Sequence, residues 1–229
     1  MHGHGTREMM ECVRRTTQSQ QGEEKGLLPL LLARAAASGG GPGTFVEIGA
    51  FDGITYSNTL ALERCFGWHG LLIEANPVNF AKLNTSGRAA VCMHSAVCAV
   101  GGSTVTISLD GGVTAGQLDR LTQYRRRTRK DRTAEVPCKP LSTLMADAGF
   151  ARGATFLSLD VEGAEDVVLA TVDPSSFDVA LIEHTPNSRS AAGVARLMRS
   201  ASPPMLRSGN YTFKWNDVWL RGGANSAYR

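Results

Sequence analysis

Val46-Glu47-Ile48-Gly49-Ala50-Phe51-Asp52-Gly53 is the stretch on which the fold reading turns. It closes a short β-type run, residues 44–48, with glycines that allow a sharp turn into a helix and a close approach of backbone to ligand. It is neither Gly-x-Gly-x-x-Gly nor a P-loop, since no Gly-Lys-Ser follows. Upstream, residues 25–38 are apolar and alanine-rich, carry Pro29 near their start and stop at Gly39-Gly40-Gly41-Pro42, which predicts a helix. Downstream, helical spacing covers 55–65, a strand 70–74, and a helix 77–83 with Pro77 in its opening turn. Strands are predicted at 89–97 and 104–109, a helix at 142–148, a strand at 155–159 and a helix at 162–171. A strand at 178–182, a helix at 191–200 and a closing strand pair at 211–215 and 217–220 complete the chain. Short apolar strands alternating with helices imply an α/β fold: a mostly parallel sheet with helices on both faces.

The 229 residues, at about 150 per domain, suit one such domain with extensions. Hydrophobic residues at 42% and charged residues at 20% exclude disordered, collagen-like and coiled-coil chains. The predicted organisation is a flexible N-terminal tail at 1–25, a domain at 26–222 with a basic insertion around 111–134, and a C-terminal tail at 223–229. His2 and His4, between glycines, belong to the tail reading rather than to a metal tract. No stretch reaches the ~18–20 apolar residues of a membrane span, and residues 27–37 are interrupted by Pro29 and Arg34. The first 25 residues lack the apolar core and cleavage site of a signal peptide. Five cysteines, odd in number and without CxxC spacing, argue against a zinc site and against a disulfide framework. Cys92 and Cys98 read as buried thiols, so the expected location is cytoplasmic, unless a longer precursor carries its own targeting signal.

The net charge of +3 is unevenly spread. Arg120, Arg125, Arg126, Arg127, Arg129, Lys130 and Arg132 face one acid, Asp131, within a single stretch. Without it, 17 basic and 20 acidic residues leave a body of net charge −3.

In open α/β sheets the ligand sits beyond the carboxyl ends of the strands. The second strand ends at Glu74, 27 residues after Glu47, and Ala75-Asn76-Pro77 follow. An acid there grips ribose hydroxyls by accepting hydrogen bonds from both, so the glycine turn and Glu74 together point to an adenosyl ligand. After the strand at 155–159 come Asp160, Glu162 and Glu165, three carboxylates that are costly to crowd without solvent, cationic or metal partners. Glu165 has a plainer reading as an acid favoured at a helix N-terminus. Glu183 and His184 end the next strand, and a histidine there can take a proton near neutral pH.

These segments together, Val-Glu-Ile-Gly-Ala-Phe-Asp-Gly, Ile-Glu-Ala-Asn-Pro, Leu-Asp-Val-Glu-Gly-Ala-Glu and Leu-Ile-Glu-His, resemble the successive motifs of FkbM-type methyltransferases. The resemblance runs from about residue 43 to 219 and is most specific at Asp160–Glu165. It implies a Rossmann-like class I methyltransferase fold: a seven-stranded, mostly parallel sheet with an antiparallel closing strand. It further implies dependence on S-adenosyl-L-methionine. By similarity, Glu47, Gly49, Asp52 and Gly53 cradle its methionine and ribose part, Glu74 holds the ribose hydroxyls, and Asn76 lies on the adenine side. The implied reaction is O-methylation of a hydroxyl on a small molecule or sugar. Tyr56-Ser57-Asn58-Thr59 looks more like the eukaryotic branch, which includes membrane-tethered trafficking proteins, and the arginine-rich segment has no match in the family pattern.

Asp160, Glu162, Glu183 and His184 are therefore expected to line the acceptor pocket, with His184 as base. Asp160 and Glu183, with Glu162, offer the oxygen ligands that Mg²⁺ prefers. The position of the basic segment favours an anionic acceptor. Two other readings are a binding or trafficking module that keeps the fold without catalysis, and an RNA methyltransferase whose arginines contact phosphates. Against RNA, Tyr124 is the only aromatic in the basic stretch, and no Asn-Pro-Pro-Tyr-type motif is present.

Overall fold

The computed structural model describes residues 2–109, 132–184 and 189–222. The chain begins with helices α1 (His2–Thr16) and α2 (Glu23–Ala37) before strand β1 (Thr44–Ile48). Then come α3 (Leu60–Phe66), β2 (His69–Glu74), α4 (Pro77–Leu83) and β3 (Val91–His94). Three strands, β4 (Ala96–Val97), β5 (Ser103–Ser108) and β6 (Thr133–Lys139), precede α5 (Leu141–Asp147) and β7 (Ala154–Leu159). The final run is α6 (Glu165–Leu169), a 3₁₀ turn (Pro174–Ser176), β8 (Phe177–Glu183), α7 (Arg189–Ser200), β9 (Met205–Thr212) and β10 (Asn216–Arg221).

Seven strands form the main sheet in the order β3-β2-β1-β7-β8-β10-β9. The five from β3 to β8 run parallel, while β10 lies antiparallel to both β8 and β9. Strand order reverses between β1 and β7, the switch point where such sheets receive ligands. The expected sheet and its closing antiparallel strand are both present. A smaller sheet, β4-β6-β5, stands beside it.

Strand alternation sorts the core. Val46, Ile48, Leu157, Leu159, Ala180 and Ile182 pack with Leu144, Met145, Leu169, Val194 and Met198, so α5, α6 and α7 cover one face. Phe45, Leu72, Phe156, Val179 and Leu181 pack with Leu27, Leu30, Leu62 and Leu83, so α2, α3 and α4 cover the other. Glu47 interrupts the apolar run of β1, where it is buried.

Several expectations are corrected. Within the expected tail, 1–25, the described residues are not free: α1 packs on α3, buries Val13 and is tied to α3 by a Cys12–Cys65 disulfide. Glu23 and Glu24, inside the expected tail, are buried at the start of α2. A second disulfide joins Cys98 to Cys138, leaving Cys92 as the one free thiol of five. Both pairs bring Cα atoms to 5.8 and 5.6 Å across sequence separations of 53 and 40, distances that spacing along the chain does not report. The thiol argument for a cytoplasmic location loses its basis with them. The predicted strand 89–97 breaks at Ser95 into members of two sheets, and β6 went unpredicted. The expected C-terminal tail, 223–229, and most of the basic insertion, up to residue 131, lie outside the described residues.

Candidate active site

The turn after β1 hangs from the end of β2. Gly49 and Ala50 donate their N–H groups to the Ile73 carbonyl at 3.0 and 3.1 Å, and Phe51 N–H donates to Glu74 Oε2 at 2.8 Å. Glu74 Oε1 accepts from Asn76 N–H at 2.7 Å. The Ala75 N–H adds a further backbone hydrogen bond to this carboxylate. Burial raises the Glu74 carboxyl to about 7, with its backbone hydrogen bonds working against the rise. Gly49 and Gly53 adopt φ of +81° and +78°, which glycine tolerates best. Phe51 and Tyr56 nonetheless take φ of +52° and +61°, concentrating strain in this loop.

Asp52 shapes the turn. Its Oδ1 accepts from the N–H groups of Ile54 and Thr55 at 2.9 and 2.7 Å, and its Oδ2 from the Thr55 hydroxyl at 2.7 Å. Desolvation pushes its carboxyl up, but the Thr55 and Ile54 hydrogen bonds and Lys82 hold it below the ordinary range. Glu47 is likewise occupied by the protein. It accepts from Ser57 Oγ (2.8 Å), Thr59 Oγ1 (2.6 Å) and Asn58 N–H (2.8 Å). Asn76 caps α4 through Oδ1, and its Nδ2 donates to the Ser108 carbonyl at 3.2 Å, tying the small sheet to the site.

Asn58 lies in the stretch 56–59, and the sequence alone assigns it no role. Its Nδ2 donates to Ser158 Oγ on β7 at 3.1 Å, while its buried Oδ1 accepts from no group among the described residues. A buried carboxamide oxygen left unpaired is costly and fits a ligand donor such as an ammonium group. Arg88 was missed altogether, because it stands in no motif; its side chain is fully enclosed against Glu47 and Glu63.

Across the switch point, Asp160, Glu162 and Glu183 bring carboxylate oxygens within 4.8 Å of one another. Asp160 N–H donates to the Ile48 carbonyl, fixing β7's end against β1. Protein surrounds Asp160 closely, yet the residue still meets solvent, which discounts the desolvation that raises its carboxyl. Glu162 holds a φ of +58°, and desolvation followed by repulsion from Asp160 and Glu165 raises it to about 8. Glu183 is raised by desolvation and by Asp160 and Glu162, and the Glu183–Asp160 hydrogen bond shares its proton. Such a trio carries fewer than three charges at neutral pH and would be relieved by a cation.

The remaining candidates separate. Glu165 follows its plainer reading: it accepts from Gly163 N–H at 2.9 Å and from Ser190 Oγ at 2.6 Å at the start of α6. His184 does not join the trio. Its N–H donates to the Trp215 carbonyl, and its Nδ1 lies 3.9 Å from Asp217 Oδ1 on β10.

Strand order, the antiparallel closing strand and the polar strand ends at the switch point define a class I S-adenosylmethionine-dependent methyltransferase fold. The chain belongs to the methyltransferase FkbM domain family, whose model matches residues 47–207. It is similar to the FkbM methyltransferase of Methylobacillus flagellatus KT, with 12% identity over 78% of this chain and 43% of that one, TM-score 0.48. The chain thus spans less than half the length of that relative. It is also similar to the magnesium protoporphyrin IX methyltransferase of Synechocystis PCC 6803, a structure with bound S-adenosylmethionine (9% identity, 88% and 80% coverage, TM-score 0.44). The O-methyltransferase of Bacillus cereus in complex with SAH shows 13% identity over 94% of this chain and 90% of that one, TM-score 0.41. No curated protein sequence matches the chain. Among the described residues no helix is long and apolar enough to cross a membrane.

Proposed function

We propose that the chain transfers a methyl group from S-adenosylmethionine to a hydroxyl oxygen of a small-molecule or sugar acceptor. The observation that carries this reading is a pair of polar centres flanking one switch point: the Glu74-anchored turn after β1, and the carboxylate trio after β7 and β8. Glu74 would hold the ribose hydroxyls, with Gly49 and Gly53 admitting the ligand's backbone contacts and Asn76 on the adenine side. The unpaired Asn58 Oδ1 supports a place for the methionine ammonium. Glu47 and Asp52 act through the loop they brace rather than by direct contact.

The cofactor supplies an electrophilic methyl group on a sulfonium, so that an O–C bond forms as the C–S bond breaks. Positioning of the acceptor oxygen then contributes much of the rate. His184, at the mouth of β8, takes the acceptor proton on Nε2, and Asp217 beside Nδ1 stabilises the imidazolium formed. Asp160 and Glu183, with Glu162, would hold Mg²⁺, a charge that acidifies a nearby hydroxyl. The seven basic residues between Arg120 and Arg132 support an anionic acceptor by charge.

Calorimetry with S-adenosylmethionine and S-adenosylhomocysteine tests the cofactor; micromolar binding supports the reading and no binding overturns it. Labelled methyl transfer to a panel of sugar and anionic hydroxyl acceptors tests the reaction. Asp160→Asn should abolish transfer while leaving S-adenosylhomocysteine binding measurable, and full activity in that variant removes Asp160 from the mechanism. Loss of transfer in EDTA, restored by Mg²⁺, supports the metal; transfer unchanged in EDTA dismisses it.

A further inference from the structure

We infer that Arg88 is the positioning residue of the cofactor turn, locking residues 53–59 and Glu47 into the shape that receives S-adenosylmethionine. Arg88 lies between α4 and β3, and its side chain is wholly buried. Its Nη1 donates to the Gly53 carbonyl at 2.6 Å and to Ser57 Oγ at 3.1 Å. Nη2 donates to Thr59 Oγ1 at 2.9 Å, and Nε to Glu63 Oε2 at 3.1 Å. Glu47 lies 4.0 Å from Nη1.

The two hydroxyls act as relays. Ser57 and Thr59 each accept from the guanidinium and donate onward to Glu47, so cation and carboxylate are joined through the loop itself. Loop and charge pair therefore stand or fall together. Glu63 completes the frame by accepting the N–H groups of Ala89 and Ala90, at 2.9 and 3.1 Å, which fixes the backbone that carries Arg88. These contacts fall on β1 and on residues 53–63, and none of the contacts named here reaches β7, β8 or the trio. A guanidinium is suited to this task because its N–H groups diverge in a rigid plane, whereas an ammonium is a point charge on a flexible stem.

The inference rests on the turn being the cofactor's site, and the test separates the two. Arg88→Lys and Arg88→Ala are compared with Arg221→Ala, which breaks an ion pair with Asp178 at the other end of the sheet. Calorimetry with S-adenosylhomocysteine, melting temperature and amide hydrogen exchange are read on each. Arg88→Lys should weaken binding at least tenfold and speed exchange of amides 53–59 at least tenfold, with β7 and β8 amides still protected. Millimolar guanidinium ion should restore part of the binding lost in Arg88→Ala. Arg221→Ala should lower the melting temperature and leave affinity within twofold. Should Arg88→Ala fail to fold, Arg88→Lys carries the test. An Arg88→Lys variant that binds within twofold of the parent, with exchange at 53–59 unchanged, overturns the inference alone. A parent chain that binds no S-adenosylhomocysteine overturns the cofactor reading and the inference with it.

Discussion

Gly49 and Asp160 meet backbone to backbone where the two central strands end: a Cβ built on Gly49 would overlap the Asp160 carbonyl oxygen. Parallel pairing carries the two chains to this point, with Ile48 opposite Leu159 in the register. The turn that anchors on Glu74 and the acidic trio are thereby held at one fixed separation.

Gly49→Ala must push the two strand ends apart and also hold alanine at a φ of +81°. The conformational part alone costs about 1–2 kcal/mol. In a chain of this size each kcal/mol lowers the melting temperature by about 2–4 °C. The expected outcome is a drop of several degrees together with a loss of S-adenosylhomocysteine affinity of tenfold or more, read by calorimetry. A variant with parental affinity would show that the two centres need no fixed separation.

Cofactor affinity should rise with pH between about 6 and 8. Glu74 must be ionised to accept two ribose hydroxyls, and burial places its carboxyl at about 7. Raising pH through that value increases the ionised fraction, so the dissociation constant falls. Glu74→Gln should bind at least tenfold more weakly and show a flat profile over the same interval. Equal slopes in parent and variant would assign the dependence to another group.

Stability without ligands should fall as pH rises. Glu24 and Glu74 are raised from the ordinary 4.5 to about 7, and Glu162 to about 8, all chiefly by desolvation. Above pH 4.5 the unfolded chain releases these protons while the folded chain retains them, so each step upward favours unfolding until the folded groups titrate. The melting temperature should decline from pH 5 to pH 9. Glu162→Gln should flatten the upper part of that decline, and added Mg²⁺ should do the same if the trio binds it. A melting temperature that climbs over this range would contradict the assignment.

Thiol titration of the denatured, unreduced protein should find one reactive group, Cys92, and five after reduction. The pairs Cys12–Cys65 and Cys98–Cys138 call for an oxidising compartment during folding. Five free thiols in protein isolated without reductant would refute both pairs and restore the argument for a reducing location.

Local features of the site were legible because they are written in contiguous residues. The glycine turn at 49–53 and the acids at 160 and 162 follow apolar strands, the acid at 74 ends one, and strand ends are where open α/β sheets bind ligands. The roles were harder to read. Glu47, buried, and Asp52, half-buried, each accept hydrogen bonds from loop N–H groups, an intraloop role that the sequence does not display. His184, expected beside Glu183, lies just past the end of β8, with its Nδ1 3.9 Å from Asp217 Oδ1.

The sequence by itself determined the alternation of strands and helices, the class of the fold and the acids at its strand ends, since these depend on periodicity and short-range turn chemistry. Tertiary structure alone decided the rest. It set Arg88 against Glu47, 41 positions earlier in the chain, and gathered Asp160, Glu162 and Glu183 from two strands. It also folded the polar N-terminus onto α3 through a disulfide. The physical reason is common to all three. Pairing of charges and thiols depends on distance in space, and only the packed sheet turns distance along the chain into contact.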